Sequence, residues 1–469
     1  PRLFREARPT QTAGLTPDAR QPSFEYTVAS YLPLRRDLLI FPTQLGYNYT
    51  ACTCNTQAFF EGGTSMKCIG QTQLNTLISV CLMSLILATA GWSQSLIWLG
   101  TFGGYWSQAY GVSADGQVVV GYASTGNGQR RAFRWTAATG MQDLGTLGGN
   151  ESTAYGVSAD GRVVVGFAYN AAGMYHAFRW ENGVMQDLGS LGGSYSVAHG
   201  ASADGSVVVG ESDTVAGARA FRWTSATGMQ NLGTLGGNQS VAYGVSADGR
   251  VVVGYARNPS GVYHAVRWVN GVIQDLQPSE SIAQSVSTDG NIVVGWGWNN
   301  AAQNFALRWA DGVSQALGTL GGPSSRAYGV SADGQVVVGS ATDVGFRSNA
   351  FRWTQETRMQ NLNTVYARLL TRYSYLIEAR AISPDARYIV GYGYNAATQR
   401  YEAYLLDTRC TAHNGDVDSN GCVDDADLLQ VLFAFGITGD NLGRVDCNCD
   451  RIVDDTDLLI VLFNFGNGC

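Results

Sequence analysis

Apolar and polar positions alternate in short bursts along most of the chain, and the bursts recur. From Tyr155 to Phe167 (YGVSADGRVVVGF), two apolar runs, 154–158 and 162–166, flank Asp160 and Gly161. Asp-Gly between apolar runs predicts a hairpin, because glycine accepts the positive φ that such turns need. A third run, Ala177 to Trp180, and a fourth, Val184 to Leu188, follow, the last entered through Asn182 and Gly183. The pattern predicts four short strands.

The unit repeats. Its turn aspartates are Asp115, Asp160, Asp204, Asp248, Asp289, Asp333 and Asp385, spaced by 45, 44, 44, 41, 44 and 52 residues. Four strands in ~44 residues is the content of one propeller blade. The first three strands occur seven times, ending at Trp135, Trp180, Trp223, Trp268, Trp309, Trp353 and, in a worn last copy, at 402–406. A fourth-strand piece, Leu96 to Phe102, precedes the first unit, and none follows the last. A leading strand that completes the last blade would close a ring and leave no long exposed edge. The expected fold class is therefore all-β: a seven-bladed β-propeller over residues 95–408.

Composition agrees with many short strands and tight turns: 59 glycines and only 14% charged residues in 469. The net charge of -7, with no basic run, excludes a nucleic-acid partner. Met66 and Lys67 precede an apolar run from Leu77 to Ala90. Its length and small-residue end predict a signal peptide over 66–90 rather than a bilayer span, so no transmembrane span is expected in the mature chain. Residues 1–65 follow no period and read as upstream sequence outside the native protein. An extracellular or cell-surface location follows.

The repeated GVSADGxVVVG, the AFRW that follows it and the LGTLGG resemble the extracellular HAF-repeat family. That resemblance implies secretion and a propeller-like fold and assigns no activity. The units around Asp289 and Asp385 depart from it most.

Seven copies of the turn aspartate argue for hairpin chemistry rather than catalysis. The Gly-Gly pairs read as turns, since no Lys-Ser/Thr follows them as in a phosphate cradle. Arg134, Arg179, Arg222, Arg267, Arg308 and Arg352 sit on third strands and are expected to pair with repeat carboxylates or carbonyls. His176 and His264 occupy a freely varying position and are expected to face solvent. The segments between second and third strands differ most and hold Tyr, Trp, Asn and Gln, which suggests a binding face suited to glycans. Glu211, Asp213 and Asp343 are the few acids there, the only candidates for a polysaccharide-active enzyme, which needs a carboxylate pair. No catalytic residue stands out. A non-enzymatic binding protein is the first expectation, with a hydrolase or lyase, or a purely structural envelope protein, as alternatives.

After Asp407 the pattern changes. Asp416, Asp418, Asn420, the Cys422 carbonyl, Asp424 and Asp427 follow the spacing of a calcium loop, with Gly421 at its sharp turn. Asp446, Asn448, Asp450, the Ile452 carbonyl, Asp454 and Asp457 repeat it, with Arg451 in the glycine position, so the second Ca²⁺ site is expected to be weaker. Each loop runs into an apolar helical pattern, 428–435 and 458–465. Two such loops, each ending in Asp with one following helix, resemble the duplicated dockerin module. That resemblance covers 414–467 and implies calcium-dependent docking to a cohesin-like protein or envelope scaffold. Dockerins usually carry hydroxyl residues just before the last Asp; here Asp425-Ala426 and Asp455-Thr456 stand there, with Thr456 alone bearing a hydroxyl. The small α-helical calcium module is placed at 410–469. Its five cysteines allow two disulfides and a free thiol, with the pairing open.

Overall fold

The Val-Val-Val runs carry no polar residue between their apolar ones, so both faces of such a strand must be covered. In the structure they are second strands of four-stranded antiparallel sheets. This is a computed structural model that describes residues 94–276, 279–299, 303–409, 414–418, 420–438, 442–449 and 452–469. Residues 1–65 and the segment 66–90, expected from the sequence to be a signal peptide, lie outside the described residues. Five separate four-stranded sheets span 148–187, 196–231, 240–275, 281–316 and 321–361. An eight-stranded sheet consists of two such groups joined through a single parallel pair, Trp106 and Tyr401. Within it the leading strand Ser95–Trp98 pairs antiparallel with Arg400–Asp407, Ser95 opposite Asp407 and Trp98 opposite Tyr404.

The sheets pack face to face in chain order, and the last packs on the next-to-last and the first. Val120 and Ala132 of one sheet meet Val164 and Phe178 of the following one. Val119 and Phe133, on the opposite face, meet Val390 and Leu405 of the last sheet. Between 321–361 and the last sheet, Val338 and Ala350 meet Leu376, Ile389 and Leu406. The arrangement is that of a β-propeller scaffold. The long spacing before Asp385 is filled by a short helix, α1 (Leu362–Val365), and a 3-10 turn (Ala367–Leu369). Asn363 there donates to the carbonyl of Leu376 at 2.9 Å and accepts from its N–H at 2.7 Å.

Repeated polar contacts rivet the sheets. Ala132 N donates to Ser152 Oγ of the next sheet (3.0 Å), and that hydroxyl donates to Gly145 O (2.6 Å). Ser107, Ser196, Ser240, Ser281 and Ser325 repeat the contact, each buried. Arg134, Arg179, Arg222 and Arg308 donate through Nε to Gly161, Gly205, Gly249 and Gly334 carbonyls of the following turn, at 3.1–3.3 Å. These half-buried arginines bear out the expected carbonyl pairing. Arg267 instead donates to Gln274 Oε1 at 2.7 Å.

Each turn aspartate serves its own hairpin. Asp204 Oδ1 accepts from Ser202 Oγ at 2.6 Å and from Ser206 N at 3.0 Å. Ser202 Oγ in turn accepts from Val207 N at 3.0 Å. The departing copy keeps the contact, Ser383 Oγ donating to Asp385 Oδ1 at 2.6 Å, with Ala386 at φ 61° in place of glycine.

The Gly-Gly pairs divide their labour. Gly148 takes a φ of 103°, and Gly149 lies flat on the second strand, where a Cβ would come within 2.5 Å of Tyr169 Cβ. The glycine ending each Val-Val-Val run is tighter still: a Cβ on Gly166 would sit 1.9 Å from Thr153 O. After the scaffold, α2 (Asp425–Ala434) and α3 (Asp455–Asn464) each start with a capping box, from Asp424 and Asp454. Among the described residues no helix is long and apolar enough to cross a membrane.

Two outcomes follow. Gly166→Ala forces backbone apart and should lose more than ~4 kcal/mol of unfolding free energy, whereas Gly145→Ala, with open space and only a φ of 83° against it, should lose about 1–2 kcal/mol in the same urea titration. Hydrogen bonds from Ser202 and Ser206 lower Asp204 to about 2, below the ~3.9 of an unfolded aspartate. Its stabilising share is therefore complete above about pH 4 and is lost as pH falls toward 2. The melting temperature of Asp204→Asn should fall less steeply across that window than that of the parent.

Candidate functional site around the axis

The first strand of every sheet carries a β-bulge at one repeat position. Its register shifts between Ala198 and Gly200, Ala242 and Gly244, and Ala283 and Ser285, and equivalently in the other sheets. The extra residues are Tyr110, Tyr155, His199, Tyr243, Gln284, Tyr328 and Arg380. A bulge leaves its residue unpaired and re-aims its side chain. All of them line one cavity of about 300 Å³.

Around this collar neighbours touch. Tyr110 and Tyr155 ring centroids are 5.0 Å apart, Tyr155 and His199 5.3 Å, and His199 and Tyr243 5.0 Å. The Arg380 guanidinium lies 4.3 Å from the Tyr328 ring centre and 5.4 Å from that of Tyr110. The glycines after the bulge permit this closeness: a Cβ on Gly156 would lie 3.1 Å from His199 O.

From the collar the cavity lining continues to the Asp-Gly end, where backbone hydrogen bonds run from sheet to sheet. Ala114 N donates to Ala159 O, and Ala159, Ala203, Ala247, Thr288 and Ala332 each donate onward, ending at Pro384 O (2.9–3.3 Å). Pro384 has no N–H, so the series stops where Ala114 O would accept.

Carboxylates stand beside the basic side chains of the collar. Arg380 Nη2 is 2.5 Å from Glu378 Oε2, and His199 Nε2 is 3.5 Å from Glu211 Oε1. Burial works against the charge of Arg380, but the Glu378 carboxylate, with Tyr328 and Tyr110, holds its pKa above the usual value. Burial also pushes the Tyr110, Tyr155 and Tyr243 hydroxyls up, so all three remain donors at physiological pH. Tyr110 OH donates to Gln108 Oε1 at 2.7 Å.

On the variable-loop side, second-strand residues Tyr122, Phe167, Glu211, Tyr255, Trp296 and Tyr392 stand two positions further along. The variable loops themselves are tight turns. Asp343 accepts from Gly345 N (2.8 Å), Arg347 N (3.0 Å) and Asn349 Nδ2 (3.2 Å), which makes it a turn cap. Glu211 and Asp213 both lie beside Tyr195, whose hydroxyl burial and these carboxylates push up to about 12. The two histidines depart from expectation. His264 is buried, with Nδ1 2.7 Å from Asp275 Oδ2, and His176 Nδ1 is 2.9 Å from Asp187 Oδ2. The fourth strand supplies a carboxylate at each place, which sequence variation at the histidine position alone does not reveal.

In the helical module, Asp416, Asp418 and Asp427 bring ligand atoms within 4.8 Å of one another. Asp427 is fully buried and accepts from Val417 N (2.6 Å), Asp418 N (3.0 Å) and Asp424 N (2.9 Å). Asp416 Oδ1 is buried with no hydrogen-bond partner. Three carboxylates so close repel unless a cation lies between them, and hard oxygen donors fit Ca²⁺. Asn420 Oδ1 accepts from Cys422 N at 2.7 Å, and Asp424 is occupied as a helix cap. In the second loop Asp446 and Asp457 are buried, Asp457 accepting from Asn448 N and Asp454 N at 3.0 Å each. Asp454 caps α3, Ile452 is exposed, and Asp450 lies outside the described residues. Cys422 bonds Cys469, Cys449 is also disulfide-bonded, and the buried Cys447 is a free thiol that burial pushes up to about 12.

The fold and axial site define a propeller-scaffold protein. No family model matches the chain, and no curated protein matches it. Solved structures do resemble it. TolB from Acinetobacter baumannii is 12% identical, covering 55% of this chain and 63% of its own, with a TM-score of 0.38; this chain thus spans less than two thirds of that relative. The β-propeller domain of the Pyrococcus furiosus trilobed protease is 10% identical, over 68% of this chain and 95% of its own, with a TM-score of 0.42. Kuenenia stuttgartiensis hydrazine synthase is 13% identical, over 66% and 96%, with a TM-score of 0.36.

Proposed function

We propose that the chain is an exported, non-enzymatic binding protein: a seven-bladed propeller that presents its axial and loop surfaces to a glycan, tethered by a dockerin-like tail. The blade count is supported by apolar packing between every successive pair of sheets, including last on first, and by the leading strand within the last sheet. Docking of the tail to a cohesin-like partner is carried by one observation. Helices α2 and α3 expose equivalent apolar rows: Leu429 and Leu459, Leu432 and Leu462, and above all Phe433 (83% exposed) and Phe463 (81%). Monomeric proteins rarely leave such rows bare, and they mark contact surfaces.

Calcium would be held in the first loop by Asp416, Asp418, Asn420, the Cys422 carbonyl and Asp427, and would neutralise the clustered carboxylates. The second loop would bind through Asp446, Asn448 and Asp457 with its neighbours. Cation binding then fixes the angle at which each helix leaves its loop, and so the spacing of the two apolar rows.

The full chain should take up Ca²⁺, and the melting of its tail should rise by about 2.7 kcal/mol of apparent stability at a hundredfold excess over Kd. Asp427→Asn should abolish most of the shift. Partner proteins captured from envelope and secreted fractions should be released by chelator, and less should be captured by Phe433→Ser with Phe463→Ser. Melting that ignores both Ca²⁺ and chelator would sink the calcium reading.

A further inference from the structure

Resting on the binding reading above, we propose that the axial cavity holds a single neutral sugar residue, gripped at the collar by Arg380, Gln284, His199 and Tyr243. The collar holds two polar atoms without a hydrogen bond of their own. Arg380 Nε and His199 Nε2 are buried with no hydrogen bond. Glu211 Oε1 lies 3.5 Å from the histidine nitrogen, beyond a good bond. Both side chains also line the cavity, so the collar carries hydrogen-bonding capacity that its own contacts do not use.

The collar's chemistry then narrows the ligand. Arginine only donates and glutamate only accepts, while tyrosine hydroxyls, the Gln284 amide and a neutral imidazole do both. A hydroxyl, with one donor and two acceptor sites, is the group that satisfies all of them. The one fixed cation of the collar, Arg380, already faces the Glu378 carboxylate at 2.5 Å. An ionic ligand would gain little field there and would unbalance a pair. Aromatic faces of Tyr155 and Tyr243 flank the histidine and suit the C–H face of a sugar ring. Size completes the choice. About 300 Å³ lies at the bottom of the range for small-molecule pockets, enough for one ring and too little for a chain laid across the axis.

The bulge makes this a specific device. Every sheet aims one variable residue at the same place, while the flanking alanine and glycine hardly change. Identity at the collar can alter without disturbing the packed faces of the sheets.

Calorimetric titration of the full chain tests the proposal, with glucose, galactose, mannose and N-acetylglucosamine as probes and glucuronate and glucosamine as charged counterparts. At least one neutral sugar should bind, and its charged counterpart should bind more weakly. Gln284→Ala and Tyr243→Phe should each weaken binding by roughly threefold to tenfold with melting unchanged, as for one lost hydrogen bond. Phe346→Ala, on an exposed variable loop, should bind like the parent. Oligomers with a free or blocked terminal residue assign the source: equal affinity for free oligomer and monosaccharide supports a chain end, and loss with every oligomer supports a free monosaccharide. Binding untouched by both collar variants and lost in Phe346→Ala would overturn the axial site while leaving the glycan reading standing. No heat with any neutral sugar would overturn it outright.

Discussion

Every sheet of the scaffold must bury two faces at once. The Val163 to Val165 run has no solvent side: Val164 packs toward one neighbouring sheet, while Val163 and Val165 pack toward the other. A stack of such sheets with ends would leave two of them half bare. Packing the last sheet against the first removes the ends, and the other contacts follow from that closeness. Sheets pressed together at small spacing leave serine as the side chain that fits between them and still satisfies Ala N–H groups. They also bring the Asp-Gly turn of one sheet within reach of the previous sheet's arginine.

Crowding toward the axis explains the glycines and, through them, the site. Just before the bulge Thr153 O lies over the second strand, so the residue beneath it, Gly166, can have no side chain. The same bulge frees Tyr155 from its strand partner and turns it to the axis. One local distortion, copied in each unit, thus sets a packing requirement and supplies a collar of functional groups.

Much of this was legible beforehand. The Asp-Gly turns, the four-strand unit, the leading strand that serves the last sheet and the arginine–carbonyl contacts follow from periodicity and from the cost of leaving polar groups unpaired. The collar did not. It occupies the middle letter of an Ala-x-Gly triplet, with Ser285 and Ala381 in place of glycine in two copies, and strict alternation assigns that residue to a sheet face, because a bulge is invisible to a two-residue period. The changing letters (Tyr, His, Gln, Arg) between constant small neighbours were the available signal. Variation instead drew attention to the loops, where Asp343 proves to be a turn cap. His264 was misplaced for a related reason: its partner Asp275 comes from another strand of the same sheet, and tertiary pairing cannot be read from one position's tolerance. In the helical module the regular spacing of oxygen-bearing side chains was plain, but the use of Asp424 and Asp454 as helix caps emerges only with the backbone in place.

Closure of the ring is the claim on which the rest stands, and a chain shortened to begin at Leu99 tests it most directly. Without Ser95–Trp98 the last sheet loses its edge strand and the Trp98 ring that stands against Tyr404. If the sheets depend on one another around a ring, hydrogen exchange should rise in every sheet, and unfolding should remain one cooperative step at lower denaturant. Loss of protection confined to 375–407, with the middle sheets unchanged, is the behaviour of an open stack and would contradict the account.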